Sequence, residues 1–579
     1  MVVLLFFVAV AIATLSVDPV RTTQGLKSDE ATYVTMALSI AHDGDLAFQQ
    51  RDLTRFWPLY NSGPEGIFLK RGKGPDDRLY FGKSFIYPLI AAPFVKVAGL
   101  NGLLLLNVVL LAGVFTCFYL YAHALMPAPA ALAVSTGFLG ASIAPLFGVW
   151  MMPETFNLAC VGYAYFFWLY KEARPRVSPR WARSLVAGPG SDIAAAILLG
   201  MATFSKPSHA LLILPPVALM LWRRDVGHGL RVGLVFGLVT VAGFGTNALI
   251  TGELNYQGGD RKTFYGEFPF QTSDSTYDTL GIPITTNTLE FEGWRHLARN
   301  TGYFFVGRHF GLVPYYFPAI VITVWALFRR RDLSLRHGFT AMAIAGTALI
   351  LMILYPNTWS GGGGPPGNRY FLGIYPAFYF LIPTARTILP GVAMWVGGAL
   401  FVAPILLDPF VAARRPWQNS QQGLLRALPV ELTVVNDLPV QLDRGRSRIP
   451  YGSDPQLLLY YLDENAWRPE AAGIWIKGSA QADIIVRTEP AIGPIDITLR
   501  SPIQNGVRVT VDGVAQDIEL TAHASVVVQA DVTGVYTRGA QTFVLSVKTE
   551  AGFIPHLVDA TSTDRRFLGV LVNLTPRRR

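Results

Sequence analysis

Apolar runs long enough to cross a bilayer recur from residue 2 to residue 407, and after that they stop. A hydrocarbon core of ~30 Å takes about 20 apolar residues per helical crossing. Inside it each backbone N–H and C=O must be paired within the protein, which restricts such runs to helices. Residues 1–407 therefore read as an α-helical polytopic bundle of about 11 transmembrane helices. The composition agrees, because 51% hydrophobic against 15% charged side chains is too greasy for an ordinary soluble chain. The opening run MVVLLFFVAVAIATLSV has no basic flank and no clear small-residue cleavage site after it, so it is read as a retained span rather than a secretion signal.

The net charge of +9 does not require a nucleic-acid partner, since much of the basic excess lies in short loops between apolar runs. Three such loops, 171–183, 223–231 and 329–336, carry clustered Arg and Lys, and the positive-inside bias assigns all three to the cytoplasm. Counting spans from them puts the N-terminus inside and residues 18–100, 251–310, 356–369 and the C-terminal tail outside. The stretch between the first two basic loops breaks at SKPS, around Lys206 and Pro207, and reads as a tilted hairpin or a re-entrant pair, which leaves the span count open by two. Cys117 and Cys160 both fall in apolar runs, so neither a disulfide framework nor a multi-cysteine metal site is expected. From residue 408 onward the pattern becomes period-two alternation in ADIIVRT, IDITLRS, GVRVTVDG, SVVVQADV and TFVLSVKT, the signature of an antiparallel β-sandwich. Residues 408–579 thus read as an extracytoplasmic linker and β-sandwich domain.

The ionisable residues near the apolar runs carry the chemistry. In SDEATYVTMALSIAHDGD, Ser28 suits a helix N-cap and Asp29 and Glu30 suit its first turn. Tyr33, Met36, Ala37 and Ile40 form one apolar stripe, and Asp29 lies one turn before Tyr33 on that stripe, so Asp29 is either a capping acid or a carboxylate turned toward the bundle. The DGD at 43–45 is either a turn or a weak Asp-x-Asp chelating pattern. Lys83, in YFGKSFIYP, is a snorkelling interfacial lysine or a contact for an anionic headgroup. Glu154, in WMMPETFN, stands at the outer end of a span, where an acid is costly to bury without a function. Arg369, after GGGGPPG, has the forked guanidinium that suits a phosphate, and Arg308 and His309 are similar in position. The charge-derived topology puts these residues on one face of the membrane. Acids that act as a base or bind a metal then share one mouth with cations that hold an anion, as transfer from a phosphate-bearing lipid needs.

The order of one span, an outer DE-A-T-Y helix, the DGDL turn, YFGKSFIYP and MPETF resembles the GT-C superfamily of polyprenyl-phosphate-dependent glycosyltransferases, which includes protein O-mannosyltransferases, aminoarabinose transferases and oligosaccharyltransferases. The match covers mainly residues 1–160, with SKP and GNRYFLGIYP as later echoes. The resemblance implies that Asp29 is the catalytic base with Glu30 beside it, that Lys83 contacts the carrier phosphate and that Glu154 binds acceptor or metal; the residue reading adds Arg369 and Arg308 as further phosphate ligands. His309 and Lys206 complete the candidate site. It also implies a polyprenyl-phosphate sugar as donor, a glycan, lipid or protein hydroxyl as acceptor, inversion at C1, and a place in the cell or plasma membrane, with a divalent cation (Mg or Mn) allowed but not demanded. Two departures stand out: Thr32 occupies the place of an Arg in the aminoarabinose branch, and the Trp-Trp-Asp motif of oligosaccharyltransferases is absent. Two other classes stay open on the residues alone. A lipid-linked-sugar flippase or transporter would need ionisable groups near the membrane midplane, where these spans hold few. A non-catalytic membrane anchor for a carbohydrate-binding domain would leave the acids of the first 160 residues without a purpose.

Overall fold

The computed structural model describes residues 2–23, 26, 28–74, 77–173, 186, 188–284, 291–421, 423–440, 449–451, 454–537 and 539–578. Most of the basic loop read at 171–183 lies outside them. The helices that frame the site are α1 (Val2–Ser16), α2 (Ser28–Asp43), α3 (Ile86–Ala98), α4 (Asn101–Leu125), α5 (Glu154–Ala173), α6 (Pro189–Ser205), α7 (Leu214–Trp222), α8 (Val226–Thr251), α9 (Leu335–Leu354) and α10 (Leu389–Leu407). Helix α2 has both acids in its first turn and buries ten consecutive residues from Glu30 to Ser39. It stops at Gly44, whose φ of 72° an L side chain rarely adopts.

Among the described residues four helices, α4, α8, α9 and α10, are long and apolar enough to cross a membrane. Shorter apolar helices occupy Leu5–Ser16, Ile86–Ala98, Ala128–Gly140, Pro207–Trp222 and Phe317–Phe328. The expected break at Lys206–Pro207 is present, and a 3₁₀ turn, Pro207–Ile213, separates α6 from α7. Two other expected spans are subdivided. The run at 130–150 divides into Ala128–Gly140 and Ala144–Gly148. The run at 370–384 holds only two four-residue helices, Arg369–Leu372 and Pro376–Tyr379. Pro376 cannot continue the preceding turn. The segment is nonetheless buried because its tyrosines satisfy carbonyls elsewhere: Tyr375 donates to Phe138 O at 2.6 Å and Tyr379 to Phe118 O at 3.1 Å.

The chain divides into two compact units, Met1–Phe291 with Phe304–Val306 and Phe310–Arg414, and Glu292–Tyr303 with Gly307–His309 and Arg415–Arg579. In the first unit the loops between helices build an antiparallel sheet that alternation alone did not reveal. Its strands are β1 (Ala47–Phe48), β2 (Ile67–Arg71), β3 (Leu79–Phe81), β4 (Arg261–Phe264) and β5 (Ile282–Pro283), in the order β1-β3-β2-β4-β5. Ile67, Leu69 and Phe264 join a core with Met36, Phe48 and Leu53. Because side chains alternate across a strand and Lys70 pairs with Arg261 in register, Phe68, Lys70 and Arg261 share the other face.

The second unit holds β6 (Ile449–Tyr451), β7 (Asp454–Tyr461), β8 (Ile474–Lys477), β9 (Gln481–Thr488), β10 (Ile492–Arg500), β11 (Asn505–Val511), β12 (Val514–Leu520), β13 (Ser525–Ala530), β14 (Val535–Thr537), β15 (Ala540–Thr549) and β16 (Leu568–Arg578). One antiparallel sheet runs β13-β10-β16-β8 and the other β12-β11-β15-β9-β7-β6, with β14 on β15. Ile497, Leu499 and Val572 of the first pack with Ile484, Val509 and Phe543 of the second in one apolar core. The five alternating stretches read from the sequence are β9, β10, β11, β13 and β15.

Helix α10 lies against Ala128–Gly140 at backbone contact distance. A Cβ on Gly391 would meet the Ala133 carbonyl carbon at 2.4 Å, and one on Gly398 would meet Ala141 O at 2.1 Å. Small residues permit this approach, which is how helices associate where lipid removes the hydrophobic drive. Gly398→Val is expected to destabilise the protein by ~1–3 kcal/mol or more through overpacking, read as a lowered thermal midpoint in detergent. Gly245→Ala, at a position with open space around it on α8, is expected to leave the midpoint unchanged or slightly raised.

Candidate functional site

The start of α2 brings Asp29 to three segments distant in sequence. Lys83, in the turn between β3 and α3, places Nζ 2.7 Å from Asp29 Oδ1, and Arg369 places Nη2 2.5 Å from Oδ2. Both carboxylate oxygens are thus held by cations in a site where Asp29 is 13% and Arg369 8% exposed. The Arg369 guanidinium is fixed in turn, with Nε donating to Gly361 O at 2.7 Å and Nη1 to Met152 Sδ at 3.6 Å. Gly361 has φ 101°, and a Cβ there would meet Arg369 Cγ at 2.5 Å, so the glycine loop is what lets this side chain lie down.

A second ion pair adjoins the first. Glu154, the first residue of α5, accepts from Lys206 Nζ at 2.8 Å, and its Oε1 stands 3.8 Å from Arg369 Nε. Glu154 Oε2 is buried without a hydrogen bond among the described residues. Lys206 owes its position to the break between α6 and the 3₁₀ turn, and its ammonium lies 5.0 Å from the centre of the Tyr370 ring. Glu30 faces the other way along α2, where its Oε1 accepts the Met151 N–H at 3.0 Å and ties α2 to the segment leading into α5.

The sequence reading missed Arg261 and Lys70. The Arg261 side chain and Lys83 flank one ring, with Lys83 Nζ 4.4 Å and Arg261 Cζ 5.6 Å from the centre of Phe68. Arg261 is 8% exposed, and among the described residues Nη1 has only Gly82 O, at 3.4 Å, while Nε has no acceptor. Among the described residues it forms no ion pair. Lys70 is fully buried, with one hydrogen bond to Asn255 O at 3.3 Å, and burial pushes its ammonium down to about 8. The short alternating stretches IFLKR and RKTF were the available signal. They show their common face only once the two loops pair.

Four cations, Lys83, Lys206, Arg261 and Arg369, therefore gather around two acids, Asp29 and Glu154, while Glu30 is engaged with the Met151 backbone. Burial alone would push the Asp29 carboxyl up, but the attraction and hydrogen bonds of Lys83 and Arg369 outweigh it and hold the group well below the usual carboxylate range. Burial likewise lowers Arg261, with Asp29 pulling the other way.

Arg308 and His309 belong to the second unit. Arg308 donates to Leu428 O at 3.1 Å, to Arg426 O at 2.6 Å and to Asp483 at 3.2 Å. Glu431 accepts the His309 backbone N–H at 2.8 Å and lies 2.8 Å from its Nδ1. The DGD carboxylates are likewise engaged, Asp43 with Arg55 at 2.8 Å and Asp45 with Arg51. Among the described residues no group of three or more His, Cys, Asp and Glu converges as a metal site. Asp29 and Glu154 already face Lys83, Lys206 and Arg369, so this donor set does not fit a Mg or Mn ion.

No protein-family model matches the sequence, and no curated protein matches it. Among solved structures, ArnT from Cupriavidus metallidurans in the apo state aligns at TM-score 0.42 and 16% identity, over 74% of this chain and 67% of that one. The same protein bound to undecaprenyl phosphate aligns at TM-score 0.34 and 16% identity, over 72% and 64%.

Two outcomes test the electrostatics. A carboxyl whose folded pKa lies below its unfolded value of ~3.9 adds stability above that pH and loses it as acid approaches the folded value. Asp29→Asn is therefore expected to lower the thermal midpoint clearly at about pH 7, with the difference from wild type narrowing toward about pH 3. Glu154→Gln strands the buried Lys206, at a cost of ~3–5 kcal/mol. Adding Lys206→Met is expected to restore most of that loss in a double-mutant cycle of thermal midpoints.

Proposed function

We propose that this protein is a membrane glycosyltransferase that moves a sugar from a polyprenyl-phosphate carrier to an acceptor hydroxyl. The observation that supports it is the Asp29 carboxylate held between Lys83 and Arg369, beside a buried Arg261 that has no ion-pair partner among the described residues. Positive charge exceeds negative charge in a partly dry site, so the group that completes it is an anion, such as the phosphate of a lipid carrier.

A sugar on polyprenyl phosphate has a good leaving group, and the harder task is to remove the acceptor proton. As the acceptor oxygen bonds to C1, the C1–O bond to phosphate breaks and its electron pair passes to the phosphate. The acceptor proton goes to Asp29, a step worth roughly 10²–10⁴-fold when the base is well placed. A carboxylate gripped by two cations is a poor base. The same cations resolve this, because charge growing on the departing phosphate draws Lys83 and Arg369 toward it and loosens their hold on Asp29. Each donor to the leaving group is worth ~3 kcal/mol, by comparison with oxyanion holes. Glu154, with Oε2 unsatisfied, takes the acceptor side, where Lys206 holds its other oxygen. Attack opposite the phosphate inverts C1.

Incubating the purified protein in liposomes with radiolabelled polyprenyl-phosphate sugars tests the reading. One donor is expected to be consumed by wild type and, at equal protein abundance, at least ~10²-fold more slowly by Asp29→Asn. Unchanged turnover in that variant removes Asp29 as base, and no consumption of any donor removes the transfer reading. Arg261→Ala and Lys83→Ala are expected to weaken polyprenyl-phosphate binding about tenfold or more, as loss of a charged hydrogen bond does.

A further inference from the structure

Helix α5 carries an acid near each end, Glu154 at its start and Glu172 near its finish. At 1.5 Å per residue the two are ~27 Å apart, close to the ~30 Å of a hydrocarbon core. Whatever gathers at Glu172 therefore lies at the opposite end of the helix from the Asp29 site and is independent of it.

At that far end is a cavity of about 490 Å³ lined by Glu172, Leu219, Trp222, Arg223, Ser334, Leu335 and Arg336. Its charges are unbalanced. Arg223 neutralises Glu172 through two contacts, Nη1 to Oε1 at 2.6 Å and Nη2 to Oε2 at 3.3 Å. Arg336 is left over. Its side chain is 17% exposed, its nearest carboxylate oxygen is Glu172 Oε2 at 4.0 Å, and its Nε is buried without an acceptor. Among the described residues Arg336 makes no hydrogen bond. A largely buried guanidinium in that state carries an unrelieved desolvation cost, and the space beside it is large enough to hold the group that relieves it. The first turn of α9, capped by Ser334 and His337, begins beside the cavity, and its dipole adds to the attraction.

The lip of the cavity is apolar as well as cationic. Trp222 is 66% and Leu335 49% exposed, and Arg224, Arg329, Arg330 and Arg331 are exposed nearby in the chain. A small hydrated anion has no use for an exposed indole and leucine at the ends of membrane helices. An amphiphile has, since its acyl chains cover the apolar lip while its phosphate enters the cavity.

We infer that this cavity is a binding site for the headgroup of an anionic phospholipid, with the phosphate held by Arg336 and Arg223 and the acyl chains against Trp222 and Leu335. Glu172 bears on the site as the carboxylate that orients Arg223; its own charge is taken up by that arginine.

The test uses the full-length protein in phosphatidylcholine bilayers with and without phosphatidylglycerol, with bound lipid counted by native mass spectrometry and the thermal midpoint read in parallel. Wild type is expected to retain phosphatidylglycerol saturably and to unfold at a higher temperature in its presence. Arg336→Gln is expected to weaken this retention about tenfold, or ~1.4 kcal/mol, while the double change Arg330→Gln, Arg331→Gln, on exposed arginines outside the cavity, retains it. If Arg336→Gln does not fold, Trp222→Ala, at an exposed position, serves instead and is expected to weaken retention several-fold. Equal retention by the cavity variants, or an equal loss in the double variant, overturns the site in favour of general surface charge. A midpoint shift produced equally by inorganic phosphate overturns the lipid as occupant.

Discussion

The first unit is organised around a carboxylate that has been taken out of water and must be compensated. Removing an ion from water costs several kcal/mol even after the protein relaxes around it. Asp29 survives burial because each of its oxygens meets a cation, and those cations arrive from the turn before α3 and from the glycine loop before Arg369. The ion pair is therefore also a constraint on the chain: α2, α3 and the 361–369 loop cannot part without leaving a bare charge in a poor solvent. Glu154 and Lys206 repeat the device between α5 and the break after α6.

This compensation stops short of completeness. Arg261 brings a guanidinium that the fold satisfies with a single long contact to a carbonyl. It stands on the face of a sheet whose other side is apolar core. The far end of α5 shows the same logic, with Glu172 matched by Arg223 and Arg336 in excess. In both places the member in excess is an arginine. Its charge is permanent, so it cannot escape burial by losing a proton as a lysine can.

Much of this was legible before any coordinates. Asp29 announced itself by lying on the apolar stripe of its own helix, a position a solvated capping acid has no reason to take, and Lys83, Glu154 and Arg369 by interrupting or flanking apolar runs. Arg308 and His309 met the same positional criterion, yet their carboxylates are Asp483 and Glu431, in the β-rich part of the chain. Position relative to a span is a one-dimensional property and cannot distinguish an arginine that meets Asp29 from one that meets Asp483. The uninterrupted span expected at 370–384 failed for a related reason: its tyrosines donate to carbonyls of other helices, so a buried apolar segment satisfied its polar groups without forming one helix.

The sequence alone determined the division into an apolar helical part and an alternating β part, because hydrophobic length and period are local quantities written residue by residue. It determined too that acids and cations stand where burial would be expensive. Which acid meets which cation was decided only by tertiary structure. Lys70 and Arg261 became neighbours through strand pairing between loops nearly two hundred residues apart, and Arg369 reached Asp29 across a sequence separation of 340. Electrostatic partnership depends on distance in space and on the solvent excluded between the groups, and neither exists until the chain has closed on itself.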